Sequence, residues 1–186
     1  FLLKTARYTQ GTTLLDSIII NSKEDKKRLT SEAYFVRAEY HHYTMGELES
    51  ARDDYQSAYE IDNSAPWANT ANGRANALKK TRIIREKKSK TFEDFFKIAE
   101  LYLFTLSNPD SAIQNLNQLS QRTNEDTDVL ARAEYAKAFI FDEFQRDSKT
   151  ADSLYKEVIR KYPQSQYAQQ AEKNLGVVQT VQTSED

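Results

Sequence analysis

Residues 38–58 read AEYHHYTMGELESARDDYQSA, and the pattern of this stretch recurs twice more without gaps. The second copy, AELYLFTLSNPDSAIQNLNQL, covers 99–119, and the third, AFIFDEFQRDSKTADSLYKEV, covers 138–158. Each copy has an alanine eight residues before a turn position and another five residues after it; apolar residues follow four and then three positions later. Residues three and four apart share one helix face. The pattern therefore predicts helix–turn–helix units whose alanines let the two helices pack closely.

The residues at the predicted turns agree with this interpretation. Gly46 can adopt a positive φ at a helix end. Pro109 follows Asn108 at a position where the missing amide hydrogen of proline is tolerated at the start of a helix. Asp147 or Ser148 can cap the second helix of the third copy. Pro163 ends that helix, after which we expect a short helix from Gln166 to Leu175.

Composition excludes several classes of protein. The 186 residues contain 4 Gly, 3 Pro and no Cys, which argues against all-β folds, phosphate-binding glycine loops, disulfide scaffolds and thiol catalysis. The formal net charge is −2, without the strongly basic balance typical of nucleic-acid binding. The neighbouring histidines His41 and His42 point about 100° apart on a helix and do not suit one metal ion. We expect no enzymatic activity, catalytic residue, cofactor, metal or small-molecule substrate.

A second correspondence divides the chain into two arrays. Trp67-Ala68 with Ala71 matches Tyr167-Ala168 with Ala171, and each set follows a helix pair after a short break. We interpret both as helices that cap an open end. The prediction is an array at 1–88 with its cap near 65–88, an array at 91–176 with its cap at 165–175, and a polar tail at 177–186. Within the first array, Phe1–Thr9 is expected to be a short first helix and Thr12–Ile20 the second helix of that pair.

These motifs resemble the tetratricopeptide-repeat family, most closely at Gly46–Ala58, which reads Gly-x-Leu-x-x-Ala-x-x-x-Tyr-x-x-Ala. The resemblance implies an all-α, right-handed solenoid of antiparallel helix pairs that binds protein partners. Arg37 and His41 depart from the family pattern, where larger apolar and aromatic residues are usual. The step from Ala51 to Ala112 is too long for adjacent repeats, so we expect an interrupted solenoid.

The resemblance also implies that the first helix of each pair lines a concave groove. Carried over by position, the groove residues are Phe35, Glu39, His42, Tyr43, Phe96, Glu100, Leu103, Phe104, Tyr135, Phe139, Asp142 and Glu143. Aromatic and acidic side chains at such positions suit a peptide or helix that carries apolar and basic residues. The alternative is that neighbouring helices, or segments outside this sequence, bury these side chains.

The stretch from Lys79 to Lys90 is the one strongly basic run. Its cations are Lys79, Lys80, Arg82, Arg85, Lys87, Lys88 and Lys90, against the single acid Glu86. They could contact the phosphates of lipid or RNA, or they could form an exposed helix end that complements the helix dipole. Whether the run is helix or flexible linker is open; we favour helix through about Lys87. A structural subunit that packs by its outer faces is a further alternative.

The compartment is predicted from the resemblance alone. Segments such as 98–112 and 138–176 resemble a bacterial subtype of the repeat found in the Tol–Pal coordinator and in outer-membrane-assembly lipoproteins. A bacterial cell-envelope protein is therefore expected, with a cytoplasmic one not excluded. No stretch is apolar enough to span a membrane, so any membrane association would be peripheral. The sequence begins at Phe1 and its one methionine is Met45, so we expect it to start inside a longer product or after processing.

Overall fold

A computed structural model describes residues 2–22, 26–122 and 126–176, with side chains described from residue 10 onward. These residues form nine α-helices and no strand. The helices are α1 (Leu2–Asn21), α2 (Lys27–Tyr40), α3 (Leu48–Ile61), α4 (Ala68–Arg85), α5 (Phe92–Glu100), α6 (Pro109–Ser120), α7 (Thr127–Glu143), α8 (Ser148–Lys161) and α9 (Gln166–Asn174). The all-α class with helices packed in neighbouring pairs is confirmed and is consistent with a tetratricopeptide-like solenoid. The predicted tail at 177–186 lies outside the described residues.

Two compact units make up the chain, unit 1 at Phe1–Glu86 and unit 2 at Lys87–Asp186. In unit 1, α1 packs on α2, α2 on α3 and α3 on α4. In unit 2 the order is α5 on α6, α6 on α7, α7 on α8 and α8 on α9, with a further contact between α7 and α9. The two capping helices expected near 65–88 and at 165–175 correspond to α4 and α9. The arrays predicted at 1–88 and 91–176 place the boundary in the same short segment.

The first helix differs from the prediction. A short helix at Phe1–Thr9 followed by a second at Thr12–Ile20 was expected, but α1 is one continuous helix of 20 residues that runs through Gly11. A glycine inside a helix costs only about 1 kcal/mol relative to alanine, and the packing of α1 on α2 can offset this cost. Gly11 is therefore a weak point in a helix and not a break.

The alanines predicted to lie where the helices of each pair meet are buried. Ala38, Ala51, Ala112, Ala138 and Ala151 are all 0% exposed, as expected where two helices pack closely. In the third copy, Ala138 and Ala151 share one buried cluster with Tyr155, Val158 and Ala171. Small residues at these positions let helix axes approach, and the larger residues fill the space beside them.

The three turns have one backbone geometry that only Gly46 signals in the sequence. Gly46, Ser107 and Arg146 occupy equivalent positions and have positive φ values of 70°, 50° and 58°. In each turn the following amide donates to a carbonyl six residues earlier, at 2.9 Å in the first and third and 2.8 Å in the second. The five-residue segments His41–Met45 and Leu101–Thr105, which lead into the first two turns, are π-helical. The wide turn therefore accommodates one residue more than an ordinary α-helical end.

Arg37 explains one departure from the family pattern. Its guanidinium binds both carboxylate oxygens of Asp54, at 2.7 and 2.6 Å, and donates to Asp16 at 2.5 Å. The side chain of Asp54 is 9% exposed. A polar pair thus joins α1, α2 and α3 at a place where an apolar residue was expected on α2.

Unit 2 repeats part of unit 1 with an offset of one hundred residues. Helices α2 and α3 begin at Lys27 and Leu48, and α7 and α8 begin at Thr127 and Ser148. The same rings meet in both units: the centroids of Phe35 and Tyr55 are 5.7 Å apart, and those of Tyr135 and Tyr155 are 5.6 Å apart. Because the helix starts and core positions correspond, side-chain differences between the two units can be compared position by position, except that the segment before the turn is π-helical at His41–Met45 and α-helical in α7.

Candidate functional site

An apolar groove of about 190 Å³ opens within unit 2. Helix α5 with its π-helical continuation forms one wall, α7 forms the other, and α6 contributes Leu116. Five of the predicted groove residues line it together, namely Phe96, Glu100, Leu103, Phe104 and Phe139. The remaining lining residues are Ala99, Leu116, Arg132, Ala136 and Ile140. Sequence positions far apart thus meet on one concave surface.

Three phenylalanines form an exposed cluster at this groove. Phe104, Phe139 and Phe144 are 66%, 37% and 40% exposed. The Phe144 ring lies 5.8 Å from that of Phe104 and 6.2 Å from that of Phe139, both edge-on. Neighbouring exposed aromatic rings are characteristic of binding surfaces rather than of ordinary solvent-facing helices.

Phe144 was missed by the sequence analysis. It follows the last residue of α7, and regular helical spacing from Phe139 does not place it on the groove side. The wide turn redirects this residue so that its ring lies beside Phe139. An aromatic residue next to a predicted turn was the one available signal.

The floor of the groove is buried and its charges are paired. Phe96 and Leu103 are 6% and 9% exposed, so they shape the floor more than they offer free surface. The guanidinium of Arg132 lies 3.9 Å from the centroid of the Phe96 ring and pairs with Glu93 at 3.3 Å. Glu100 pairs with Lys97 at 3.1 Å. The predicted acidic rim is therefore partly neutralised by nearby cations of the same unit.

The groove residues predicted in unit 1 are covered by a side chain of α4. Arg74 pairs with Glu39 at 2.8 Å, and its guanidinium lies 5.9 Å from the ring of Phe35 and 5.5 Å from that of Tyr43. His42 is 3% exposed, so it offers almost no surface to a partner, unlike the expectation for this residue. Tyr43 stacks on His42 with ring centroids 4.2 Å apart and remains 44% exposed.

The imidazole ring of His42 is buried in unit 1. Neither ring nitrogen has a partner among the described residues. Burial, followed by the positive charge of Arg74, lowers the pKa of His42 to about 4. The ring is therefore neutral at pH 7. The described ranges contain no group of three or more His, Cys, Asp or Glu side chains arranged to hold a metal ion.

The third predicted set has a different arrangement. The Tyr135 ring packs between Tyr155 and Tyr167, with centroid distances of 5.6 and 5.9 Å. Asp142 is partly buried and Glu143 is exposed at the end of α7. Tyr135 thus belongs to the aromatic contact of α7 with α8 and α9, and neither it nor the two acids lines the apolar groove.

The basic run is divided by the end of a helix. Helix α4 ends at Arg85, slightly earlier than the predicted end near Lys87. Two of the cations have acidic partners: Arg82 pairs with Glu49 at 3.1 Å, and Lys87 pairs with Asp94 at 2.6 Å. All of these cations except Lys90 are exposed, namely Lys79, Lys80, Arg82, Arg85, Lys87 and Lys88. The run continues from unit 1 into unit 2.

One comparison with known proteins gives a match. Residues 132–165 match the family model described as tetratricopeptide repeat. The matched stretch begins in α7, includes all of α8 and ends at Ser165, whose hydroxyl caps α9. The match supports a tetratricopeptide-repeat family for the chain, and it contains the Ala138, Ala151 and Tyr155 positions from which the repeat was predicted.

No curated protein and no solved structure gives a significant match to the chain. Among the described residues, no helix is long and apolar enough to cross a membrane. The tetratricopeptide match and the helical fold together support a protein-interaction scaffold in general terms. Folds of this family are typically not catalytic.

Proposed function

We propose that this chain is a non-enzymatic scaffold that binds a segment of a partner protein in the groove of unit 2. The observation that carries the proposal is the exposed cluster of Phe104, Phe139 and Phe144 above a preformed apolar floor. Clusters of aromatic residues at a concave surface provide most of the binding energy in many protein interfaces. The partner segment would insert apolar side chains between these rings.

The groove suits a peptide or a helix face more than a small molecule. It is shallow and open, and its lining is dominated by aromatic and aliphatic side chains with few polar groups to orient a compact ligand. The paired charges of Arg132 with Glu93 and of Glu100 with Lys97 flank the apolar surface. Such flanking charges favour selection among segments by their charge, whereas the aromatic rings supply affinity.

Partner capture with matched variants tests the proposal. The full chain, immobilised, is incubated with an extract of its source cells, and captured proteins are identified and then titrated individually. Phe104→Ala/Phe144→Ala should weaken capture at least about tenfold, because two exposed anchors are lost. Met45→Ala, which removes another exposed apolar side chain, should leave capture unchanged. Equal capture by the double variant and the unaltered chain would overturn the proposal.

A bacterial cell-envelope setting is part of the proposal. Its support is the resemblance of segments 98–112 and 138–176 to the envelope subtype of the repeat. Fractionation of the source cells with an antibody against the chain tests it, since recovery in the soluble cytoplasm would argue against this setting.

The exposed basic run supports a second proposal, contact with an anionic surface of lipid or RNA. Lys79, Lys80 and Lys88 are exposed, and such cations bind phosphates in a salt-dependent manner. Cosedimentation with anionic liposomes or RNA at low salt, lost in Lys79→Gln/Lys80→Gln, would support it. No binding at low salt would remove it.

A further inference from the structure

When each residue of unit 1 is compared with the residue one hundred positions later in unit 2, one buried site differs in charge. In unit 1, Arg74 of α4 lies in a pocket of aromatic rings, with its guanidinium 5.9 Å from the centroid of Phe35 and 5.6 Å from that of Tyr55. The same guanidinium donates to Glu39 at 2.8 Å and to the Tyr55 hydroxyl at 3.3 Å. Unit 1 therefore contains a guanidinium site that its own chain fills.

Unit 2 has the same pocket with a neutral residue at the equivalent position. Tyr135 and Tyr155 replace Phe35 and Tyr55 at almost the same ring distance, 5.6 Å against 5.7 Å. Asn174 stands where Arg74 stands in unit 1, and its amide donates to the Tyr135 hydroxyl at 3.2 Å. Asn174 is exposed, so this end of the ring pair lies at the protein surface.

Two carboxylates accompany the tyrosines of unit 2. Asp142 and Glu143 occupy the positions of His42 and Tyr43, and neither forms an ion pair with any residue in the described ranges. Burial, together with the negative charges of these two groups, raises the pKa of Tyr155 to about 12, although the Asn174 amide acts in the opposite direction. Asp142 lies seven residues after Tyr135 on the regular helix α7, so the two side chains project from the same face of that helix.

Among the described residues the geometry gives the Tyr155 hydroxyl no hydrogen bond of its own, although the Asn174 amide that donates to Tyr135 also acts on it. Tyr155 is 1% exposed, and its oxygen forms no hydrogen bond within the described part of the chain. The equivalent hydroxyl of Tyr55 accepts a hydrogen bond from Arg74. A buried, unpartnered acceptor beside two unpaired carboxylates and two aromatic rings is the complement of a cationic donor.

We propose that the pocket formed by Tyr135, Tyr155, Asp142 and Glu143 binds an arginine side chain of the partner protein. The inference rests on the proposed function only in that the arginine comes from a protein segment. Arginine is favoured over lysine because its planar guanidinium stacks on rings and donates in several directions, as Arg74 does in unit 1. Tyr135 lies four residues before Phe139 on α7, so the pocket adjoins the groove on one helix face.

The first test uses a small probe that does not depend on the partner. Nα-acetyl-arginine amide is titrated into the isotopically labelled full chain, and the amide chemical shifts are followed by NMR. We expect saturable shifts around Tyr135 and Tyr155. The citrulline derivative is a neutral isostere of the probe. Its affinity should be lower by at least about tenfold. Equal shifts with both probes, or saturable shifts confined to other residues, would overturn the site.

Variants of the carboxylates provide the matched comparison. Asp142→Asn/Glu143→Gln should weaken binding of the arginine probe about tenfold. Asp152→Asn/Glu60→Gln removes the same charge from exposed positions elsewhere and should leave the affinity within about twofold. An equal loss in both double variants would show a general charge effect and contradict the site.

A third variant fills the pocket from within the chain. Asn174→Arg should reproduce the arrangement of Arg74, abolish binding of the probe and raise the thermal midpoint of unit 2 by about 2 °C or more. The rise should disappear when Asp142→Asn/Glu143→Gln is present. A rise that persists without the carboxylates, with the probe still bound, would overturn the proposal. If the arginine probe does not bind but Phe104→Ala/Phe144→Ala still weakens partner capture, the arginine site is refuted and the groove proposal is not.

Discussion

Replacing Gly46 with alanine should destabilise unit 1, whereas the same replacement at Gly11 should stabilise it. Gly46 ends the first helix of its pair with φ at 70°, a left-handed conformation that costs an L-residue about 1–2 kcal/mol. Gly11 lies inside the continuous helix α1, where alanine is favoured by about 0.5–1 kcal/mol. A Cβ atom added at either position meets nothing within 4 Å, so steric clashes do not contribute.

Urea denaturation of the full chain measures both effects. Because both glycines belong to unit 1, the two variants are compared on the same unfolding transition. A change of about 1 kcal/mol corresponds to a midpoint shift of about 0.3–1 M urea. Gly46→Ala should lower the midpoint and Gly11→Ala should raise it, and the helical circular dichroism of the folded protein should not change.

The equivalent turns give the reverse experiment. Ser107 and Arg146 adopt the same left-handed conformation, with φ at 50° and 58°, without being glycine. Arg146→Gly should therefore stabilise unit 2 by about 0.5–1 kcal/mol. If Gly46→Ala and Gly11→Ala shift the midpoint in the same direction, or if Arg146→Gly is destabilising, the backbone account of these turns is wrong.

Three further predictions concern buried polar groups, each measured by chemical denaturation. Tyr55→Phe should cost about 0.5–1.5 kcal/mol because it removes an acceptor of Arg74, whereas Tyr155→Phe removes an unpartnered hydroxyl and should be neutral or stabilising; equal losses would contradict this. Arg37→Met should cost about 2–3 kcal/mol because it leaves the carboxylate of Asp54 buried and unpaired, and adding Asp54→Leu should recover part of that loss; no recovery would show that the pair is not the cause. The pKa of His42 is lowered in the folded state to about 4, so the unfolded chain binds its proton first as the pH falls. The free energy of unfolding is therefore highest above about pH 6.5 and should decline by roughly 1–2 kcal/mol between pH 7 and pH 5. His42→Leu should abolish this decline. If the free energy of unfolding depends on pH equally steeply in that variant, His42 is not the cause.

The sequence was sufficient to predict the helix pairs because small and large apolar residues recur at fixed spacing. Ala38, Ala51, Ala138 and Ala151 are buried as the pattern predicted, and α4 and α9 lie in the segments assigned to capping helices, whose capping role stays a prediction. This spacing depends only on the geometry of a helix and on its contact with the other helix of the same pair. The break expected near Gly11 was wrong because glycine only weakens a helix, and tertiary packing on α2 can maintain it.

The candidate site was predicted less completely. Position alone brought Phe96, Leu103, Phe104 and Phe139 to one groove, but it did not show that Arg74 covers the equivalent surface of unit 1. That contact depends on a residue of α4, which the repeat alignment of α2 and α3 does not include. Phe144 was missed because the wide turn changes its direction, and the left-handed conformation of Ser107 and Arg146 has no residue-type signal.

Mapping the bound partner segment on the chain tests the central claim most directly. Once a partner has been identified, the amide shifts or hydrogen-exchange protection of the full chain are measured with and without its binding segment. We predict that the changes cluster on α5 and α7 around Phe104, Phe139 and Phe144. Changes confined to α3 and α8, which contribute no residue to the groove, would contradict the groove and instead indicate a structural subunit that packs through its outer faces.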